Sequence, residues 1–104
     1  MSTKKMCSLV IRMRKSDKEN ERALWELVLE AMTKYSIGGA SVWQGIGGYG
    51  KRGASTFQKY GLTYDAPVMI ETVDEREKIE HVAKEIKKLI GGNGLITLQE
   101  TEVV

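Results

Sequence analysis

Between the apolar pair Val42-Trp43 and Ala54, the chain sets five glycines, Gly45, Gly47, Gly48, Gly50 and Gly53, around the cations Lys51 and Arg52. Glycine lacks Cβ, so successive backbone N–H groups can turn toward one point or the chain can take positive φ. Two cations beside such a backbone suit the binding of an anion such as a phosphate. The same residues also fit a hairpin loop whose glycines serve turns and whose charges serve solubility, and both readings stay open. From residue 31 to residue 64 there is no acidic side chain, while Lys34, Lys51, Arg52 and Lys59 give the window +4; the whole chain carries +2, so the remainder carries −2. A patch of this size suits a small phosphorylated ligand or an acidic partner surface, whereas a nucleic-acid duplex calls for an extended basic face. A second glycine cluster, Gly91-Gly92-Asn93-Gly94, follows a helical pattern, where a C-cap and a turn call for glycine or asparagine.

The remaining side chains with chemical potential do not assemble into a catalytic set. His81, the single histidine, stands between Glu77 and Glu85 at helical i−4 and i+4 spacing and reads as an exposed residue paired with carboxylates. Cys7, the single cysteine, falls in the inward set of the first strand and reads as a packed thiol, so neither a disulfide nor a Cys/His metal centre is available within one chain. Ser41 and Ser55 have no base nearby in sequence. Glu100-Thr101-Glu102 reads as a solvated strand end. The chain is expected to bind rather than catalyse, with no catalytic residue and no metal ligand set.

These residues need a scaffold, and 104 residues with 41% hydrophobic and 29% charged side chains provide one globular domain. Residues 7–14 alternate, with Cys7, Leu9, Ile11 and Met13 on one side and Ser8, Val10 and Arg12 on the other, which predicts a strand after an N-terminal tail at about 1–6. Ser16 or Asp17 can cap a helix over 18–34, with Leu24, Leu27, Val28, Ala31, Met32 and Tyr35 on one face and Gly38-Gly39 as its stop. A second strand is expected at 40–46 and a third at 67–73, with Pro67 at its first position, where proline is tolerated. Asp74 then caps a second helix burying Ile79, Val82, Ala83, Ile86, Leu89 and Ile90, and a last strand runs over 95–102. The order is βαββαβ. It folds most simply as an α+β ferredoxin-like sandwich, a four-stranded antiparallel sheet with both helices on one face and a long loop over about 47–66 between strands two and three. Loops of that length are uncommon unless they are functional or disordered.

One sheet face is then left uncovered, and Val10, Arg12, Trp43, Met69, Glu71 and Val73 point to it. An apolar face of this kind, with an expected Arg12–Glu71 pair, predicts self-association. No apolar run approaches the roughly 18 residues of a membrane helix, and the first residues lack a signal-type apolar segment, so the expected location is the cytoplasm.

Gly45-Ile46-Gly47-Gly48-Tyr49-Gly50, then Asp65-Ala66-Pro67-Val68-Met69-Ile70-Glu71-Thr72-Val73-Asp74, and Gly94-Leu95-Ile96-Thr97 resemble the sequence blocks of a PII-like family of unknown function within the PII signal-transduction superfamily. The resemblance spans roughly residues 7–104. PII proteins proper are trimers that bind adenine nucleotides in clefts between subunits and engage transporters, enzymes or regulators through the long loop. By that resemblance Gly45, Gly47, Gly48, Gly50, Lys51 and Arg52 correspond to the base of the regulatory loop. Gly91, Gly92, Asn93 and Gly94 correspond to a second glycine loop that cradles phosphates. Leu95 stands where PII proteins proper have a lysine, and their C-terminal arginines have no counterpart before Val104. Tyr60 and Tyr64 do not align with the modified tyrosine of that family.

What the resemblance implies is a non-enzymatic homotrimeric regulator with no covalent cofactor. It senses an adenine nucleotide or related small anion and signals to a membrane transporter or enzyme through the long loop. The alternative of the same architecture is a metal-associated trimer similar to CutA, using carboxylates and His81. A single-strand RNA binder of this topology would carry stacking aromatics on its first and third strands, and these have none.

Overall fold

A computed structural model describes the backbone of residues 1–56, 58–59, 62–63 and 65–104, and side chains at 1–54 and 65–104. The elements are β1 (Lys4–Arg14), β2 (Lys18–Glu19), β3 (Arg22–Ala23), α1 (Leu24–Lys34), β4 (Ser41–Gln44), β5 (Gly47–Gly50), β6 (Gly53–Thr56), β7 (Gln58–Lys59), β8 (Leu62–Thr63), β9 (Pro67–Asp74), α2 (Arg76–Ile90) and β10 (Leu95–Val103). β10, β1, β9 and β4 form, in that order, one antiparallel sheet with the helices on one face, the expected ferredoxin-like arrangement.

Alternation in β1 builds the core. Cys7, Leu9 and Ile11 are fully buried and Met13 nearly so, and they meet Leu24, Val28 and Met32 of α1 and Ile79, Val82, Ile86 and Ile90 of α2. Each such aliphatic side chain contributes roughly 1.5–3 kcal/mol by leaving water. β9 adds Val68 and Ile70, and its buried Thr72 donates its hydroxyl proton to the Gly39 carbonyl, fixing the approach to β4.

Several boundaries differ from the sequence expectation, and the second strand, expected at 40–46, is confined to Ser41–Gln44. β1 begins at Lys4, so the N-terminal tail is three residues rather than six; Lys4, Lys5 and Met6 pair with Val103, Glu102 and Thr101 of β10. The last strand correspondingly runs to Val103.

The first helix starts at Leu24, not at residue 18, and Asp17 does not cap it. Residues 18–22 are all polar and have nothing to bury in a first helical turn. Asn20 and Glu21 both take positive φ, 51° and 65°, and close β2 against β3 as a two-residue hairpin. The Asp17 carbonyl accepts the Leu24 N–H at 2.8 Å instead. Asp74 likewise makes no N-cap. Its Oδ2 accepts the Gly38 N–H at 2.9 Å and its Oδ1 the Glu75 N–H at 2.7 Å, which together hold the carboxyl below its ordinary pKa and tie β9 to the α1–β4 connection.

The segment over 47–66 is not one long loop in its described part. β5 pairs with β6 from Gly47↔Thr56 to Gly50↔Gly53, and β7 pairs with β8. The side chains of Ser55 and Lys59, and residues Tyr60 and Tyr64, lie outside the described residues.

α2 ends at Gly91, whose φ of 54° suits a residue without Cβ, and the chain then passes so near β1 that a Cβ at Gly94 would lie 2.6 Å from the Arg12 carbonyl oxygen. Gly94→Ala is therefore expected to destabilise the fold by about 1–3 kcal/mol. Gly92→Ala, where nothing lies within 4 Å, should stay within about 0.5 kcal/mol. Urea denaturation of the two variants side by side checks the contrast.

Candidate functional site

The glycine-rich hairpin leaves the sheet where β4 ends. The Gly45 N–H donates to the Pro67 carbonyl at 2.8 Å, and a Cβ at Gly45 would meet the Pro67 ring at 2.8 Å, so this glycine is required by close passage over β9. Lys51 and Arg52 are the two residues at the tip between β5 and β6. Lys51 is exposed and has no ion pair among the described residues. Ile46 and Tyr49 stand almost fully in solvent.

Arg52 is turned back toward the body of the protein. Its Nη1 donates to Asp17 Oδ1 at 2.6 Å and its Nη2 to Asp17 Oδ2 at 2.9 Å, a two-pronged charged pair, and Nη2 also donates to the Asn93 carbonyl at 3.0 Å. The two glycine segments singled out from the sequence are thus brought together, and one guanidinium joins them. Arg52, expected among the ligand-binding residues, has its end-on face occupied by a carboxylate. The Asp17 side chain is 6% exposed, the Arg52 side chain 42%, so the acid is sealed and the guanidinium keeps a solvent edge.

A second arginine closes the same junction. Arg14, at the end of β1, donates from Nη2 to the Gly53 carbonyl at 2.8 Å and from Nη1 to Asp65 Oδ2 at 3.3 Å. Asp65 Oδ1 accepts the Ser16 N–H at 3.1 Å, and Asp17 Oδ2 accepts the Arg14 N–H at 2.9 Å. Burial pushes the Asp17 carboxyl up. The Arg52 hydrogen bonds, the Arg14 N–H and the two guanidinium charges outweigh it and hold the group below its ordinary value. The Asp17 hydrogen bonds push Arg52 further up.

Of the glycine cluster after α2, Asn93 takes part through its carbonyl, while Gly91 and Gly94 shape the turn. Asp17, Arg14 and Asp65 were not foreseen as members of the site. Their one signal is the charge map: a window of four cations with no acid must find its carboxylates outside itself; Asp65 borders that window directly, whereas Asp17 is separated from it by Glu19, Glu21, Glu26 and Glu30.

On the open sheet face, the register sets Val10 opposite Glu71 and Arg12 opposite Met69. The expected Arg12–Glu71 pair is replaced by a bond from Trp43 Nε1 to Glu71 Oε1 at 3.0 Å. A recess of about 320 Å³ between Ser8, Ser41 and Glu71 opens at the far end of β4 and β9 and includes none of the glycine segments. No group of three or more His, Cys, Asp or Glu that could hold a metal occurs among the described residues, and no helix among them is long and apolar enough to cross a membrane.

A carboxyl held lower in the fold than in the unfolded chain stabilises the fold above its unfolded pKa, near 4, and loses that contribution as pH falls through the folded value. Asp17→Asn should therefore cost about 1–3 kcal/mol at pH 7. The gap from the parent protein should close as the pH is lowered below about 4. Denaturant midpoints measured from pH 7 to pH 3 test both the size and the sign.

Residues 6–103 match the family model DUF190, described as Uncharacterized ACR, COG1993. The chain is 35% identical over 95 residues to the UPF0166 protein MJ1524 of Methanocaldococcus jannaschii, covering 91% of this chain and 88% of that one. It is 37% identical over 84 residues to a UPF0166 protein of Aquifex aeolicus, covering 80% and 78%. Among solved structures it resembles CPII, a nitrogen regulatory PII-like protein from Thiomonas intermedia K12, bound to ADP, AMP and bicarbonate, with a TM-score of 0.79 at 14% identity over 98% of this chain and 91% of that one. A putative PII-like signaling protein from Thermus thermophilus gives a TM-score of 0.71 at 14% identity, over 100% and 94%. The fold is thus PII-like, nothing in these relatives supports a CutA-like reading, and the chain belongs to the DUF190 (UPF0166) family.

Proposed function

We propose that this protein is a non-enzymatic, PII-like cytoplasmic regulator that assembles as a homotrimer, binds an adenine nucleotide or related small anion beside its glycine-rich turns, and signals to a transporter or enzyme through the segment 47–66. The observation that carries this reading is the junction at Arg52, where the hairpin tip and the turn 91–94 meet on one guanidinium with a solvent edge. Lys51 adds an exposed cation beside it. The likeness to CPII, a protein bound to ADP, AMP and bicarbonate, supports the ligand class.

The mechanism needs only a ligand that binds one arrangement of the hairpin better than another, because differential affinity is what shifts a population. Assembly is supported by the sheet face away from the helices, which exposes Trp43, Val73 and Leu95 at 55%, 45% and 54%. A neighbouring copy would cover this apolar surface. No covalent cofactor enters the reading.

Apparent thermal stability measured against ADP, AMP, ATP, cyclic dinucleotides, phosphate and bicarbonate tests the ligand. An adenine nucleotide should raise stability by roughly 2.7 kcal/mol at a hundred times its dissociation constant, and Lys51→Ala should weaken that binding several-fold while leaving the unliganded fold unchanged. Silence across the whole panel would sink the sensor reading. Sedimentation equilibrium should return three chains per particle for the parent protein and smaller species for Trp43→Glu, which sets a second carboxylate beside Glu71; a monomeric parent protein would remove the trimer.

A further inference from the structure

Three observations at the tip of the β5–β6 hairpin belong together. The Asp17 carboxylate is buried and grips Arg52 with both oxygens, and the same guanidinium holds the Asn93 carbonyl. Among the described residues, Arg14 and Arg52 face Asp17 and Asp65. Arg52 has two N–H groups, one on Nη1 and the Nε–H, with no acceptor among the described residues, and they lie on a side chain that is 42% exposed.

We infer that Asp17 is a built-in counter-anion for Arg52: it occupies the guanidinium as an internal ligand, clamps the β5–β6 hairpin to the turn 91–94, and is displaced when an external phosphate-bearing anion takes Arg52. The displacement half of this inference rests on the sensor reading above; the clamp half does not. Displacement follows from charge. A phosphate arriving at Arg52 while Asp17 stays in place brings a like charge beside a carboxylate in a partly dry junction, which is unfavourable. If the phosphate takes the two-pronged seat itself, it forms the same geometry with a planar fork suited to either anion. Once Asp17 lets go, the Asn93 bond loses the partner that aims the guanidinium. Occupancy at one side chain thereby reaches both glycine segments.

The test uses the whole protein with two variants, Asp17→Asn and Arg52→Lys. Lysine keeps the charge and cannot make the fork. Without any ligand, amide hydrogen exchange at Gly47–Gly50, Gly53–Ala54 and Gly91–Gly94 should rise together in both variants, at least tenfold, while the amides of β1 and β9 stay protected; exchange that is unchanged, or raised in only one of the two segments, overturns the clamp.

ADP and pyrophosphate are then titrated by calorimetry. Asp17→Asn should bind them on the order of tenfold more tightly than the parent protein, and Arg52→Lys more weakly. Equal or weaker binding by Asp17→Asn overturns displacement and leaves Asp17 a clamp alone. If neither the parent protein nor Asp17→Asn binds either anion while exchange still rises, the sensor reading and displacement fall and the clamp stands. Should Asp17→Asn fail to fold by circular dichroism, Arg52→Lys carries the exchange measurement.

Discussion

A carboxylate taken out of water has to be compensated, and Asp17 is compensated from three directions: the two-pronged fork of Arg52, the amide of Arg14 and the nearby Arg14 charge. That demand explains why the glycine-rich hairpin lies where it does. β5 and β6 have little apolar surface of their own to bury, since their described side chains are glycines, alanine and an exposed tyrosine. Their attachment to the body is accordingly polar. Arg52 reaches inward to Asp17 and Asn93, and Arg14 reaches outward to the Gly53 carbonyl, so the two arginines cross the junction in opposite directions. An exposed ion pair is worth little, but removing Arg52 here strands the buried Asp17 carboxylate, which is far costlier than the pair's net worth.

The sheet and helices were legible because their signal is periodic and redundant. Cys7, Leu9, Ile11 and Met13 alternate, and Ile79, Val82, Ile86 and Ile90 repeat at helical spacing; each set has the burial its pattern predicts. The errors fell where the deciding information was local backbone geometry or a distant partner. Lys18 to Arg22 carry good helix formers, and only the positive φ of Asn20 and Glu21 turns them into a hairpin. Asp17 and Asp74 look like N-caps because each stands just ahead of a helical stretch, yet each bonds to a segment far along the chain or to its own neighbour. Sequence spacing cannot show that Arg52 and Asn93 are neighbours, since 41 residues separate them. The acid-free window around Arg52 was visible and was read as a seat for an external anion or an acidic partner; that Asp17 of the same chain takes Arg52 was not.

The open sheet face shows the same limit in smaller form. Alternation placed Arg12 and Glu71 on it, but register decides partners, and the antiparallel pairing of β1 with β9 offsets them by one position on that face. Glu71 then accepts the indole N–H of Trp43 from the edge strand β4. That bond satisfies the one polar atom of the tryptophan and leaves its ring, more than half exposed, as apolar surface beside Met69. The result is a face whose tryptophan is satisfied in its hydrogen bonding and still presents apolar surface, the combination suited to contact with another protein surface.

β9 connects these two regions, and its two ends are anchored differently. At Pro67 it carries the Gly45 amide and the residues leading from Asp65; at Thr72 and Asp74 it fixes Gly39 and Gly38. Between them Val68 and Ile70 are packed against β1 and the helices with essentially no exposure. A strand held in this way at both ends and in the middle has little freedom to slide, because a one-residue slip would move its whole buried set to the open face. A change at the glycine junction therefore cannot travel by moving the sheet. It has to be carried by groups that can exchange partners without repacking the core, and the side chains of Asp17, Arg52 and Arg14, together with the Gly53 and Asn93 carbonyls they hold, are such groups. In the displacement inferred above, the hairpin is the moving part and the four-stranded sheet its fixed reference.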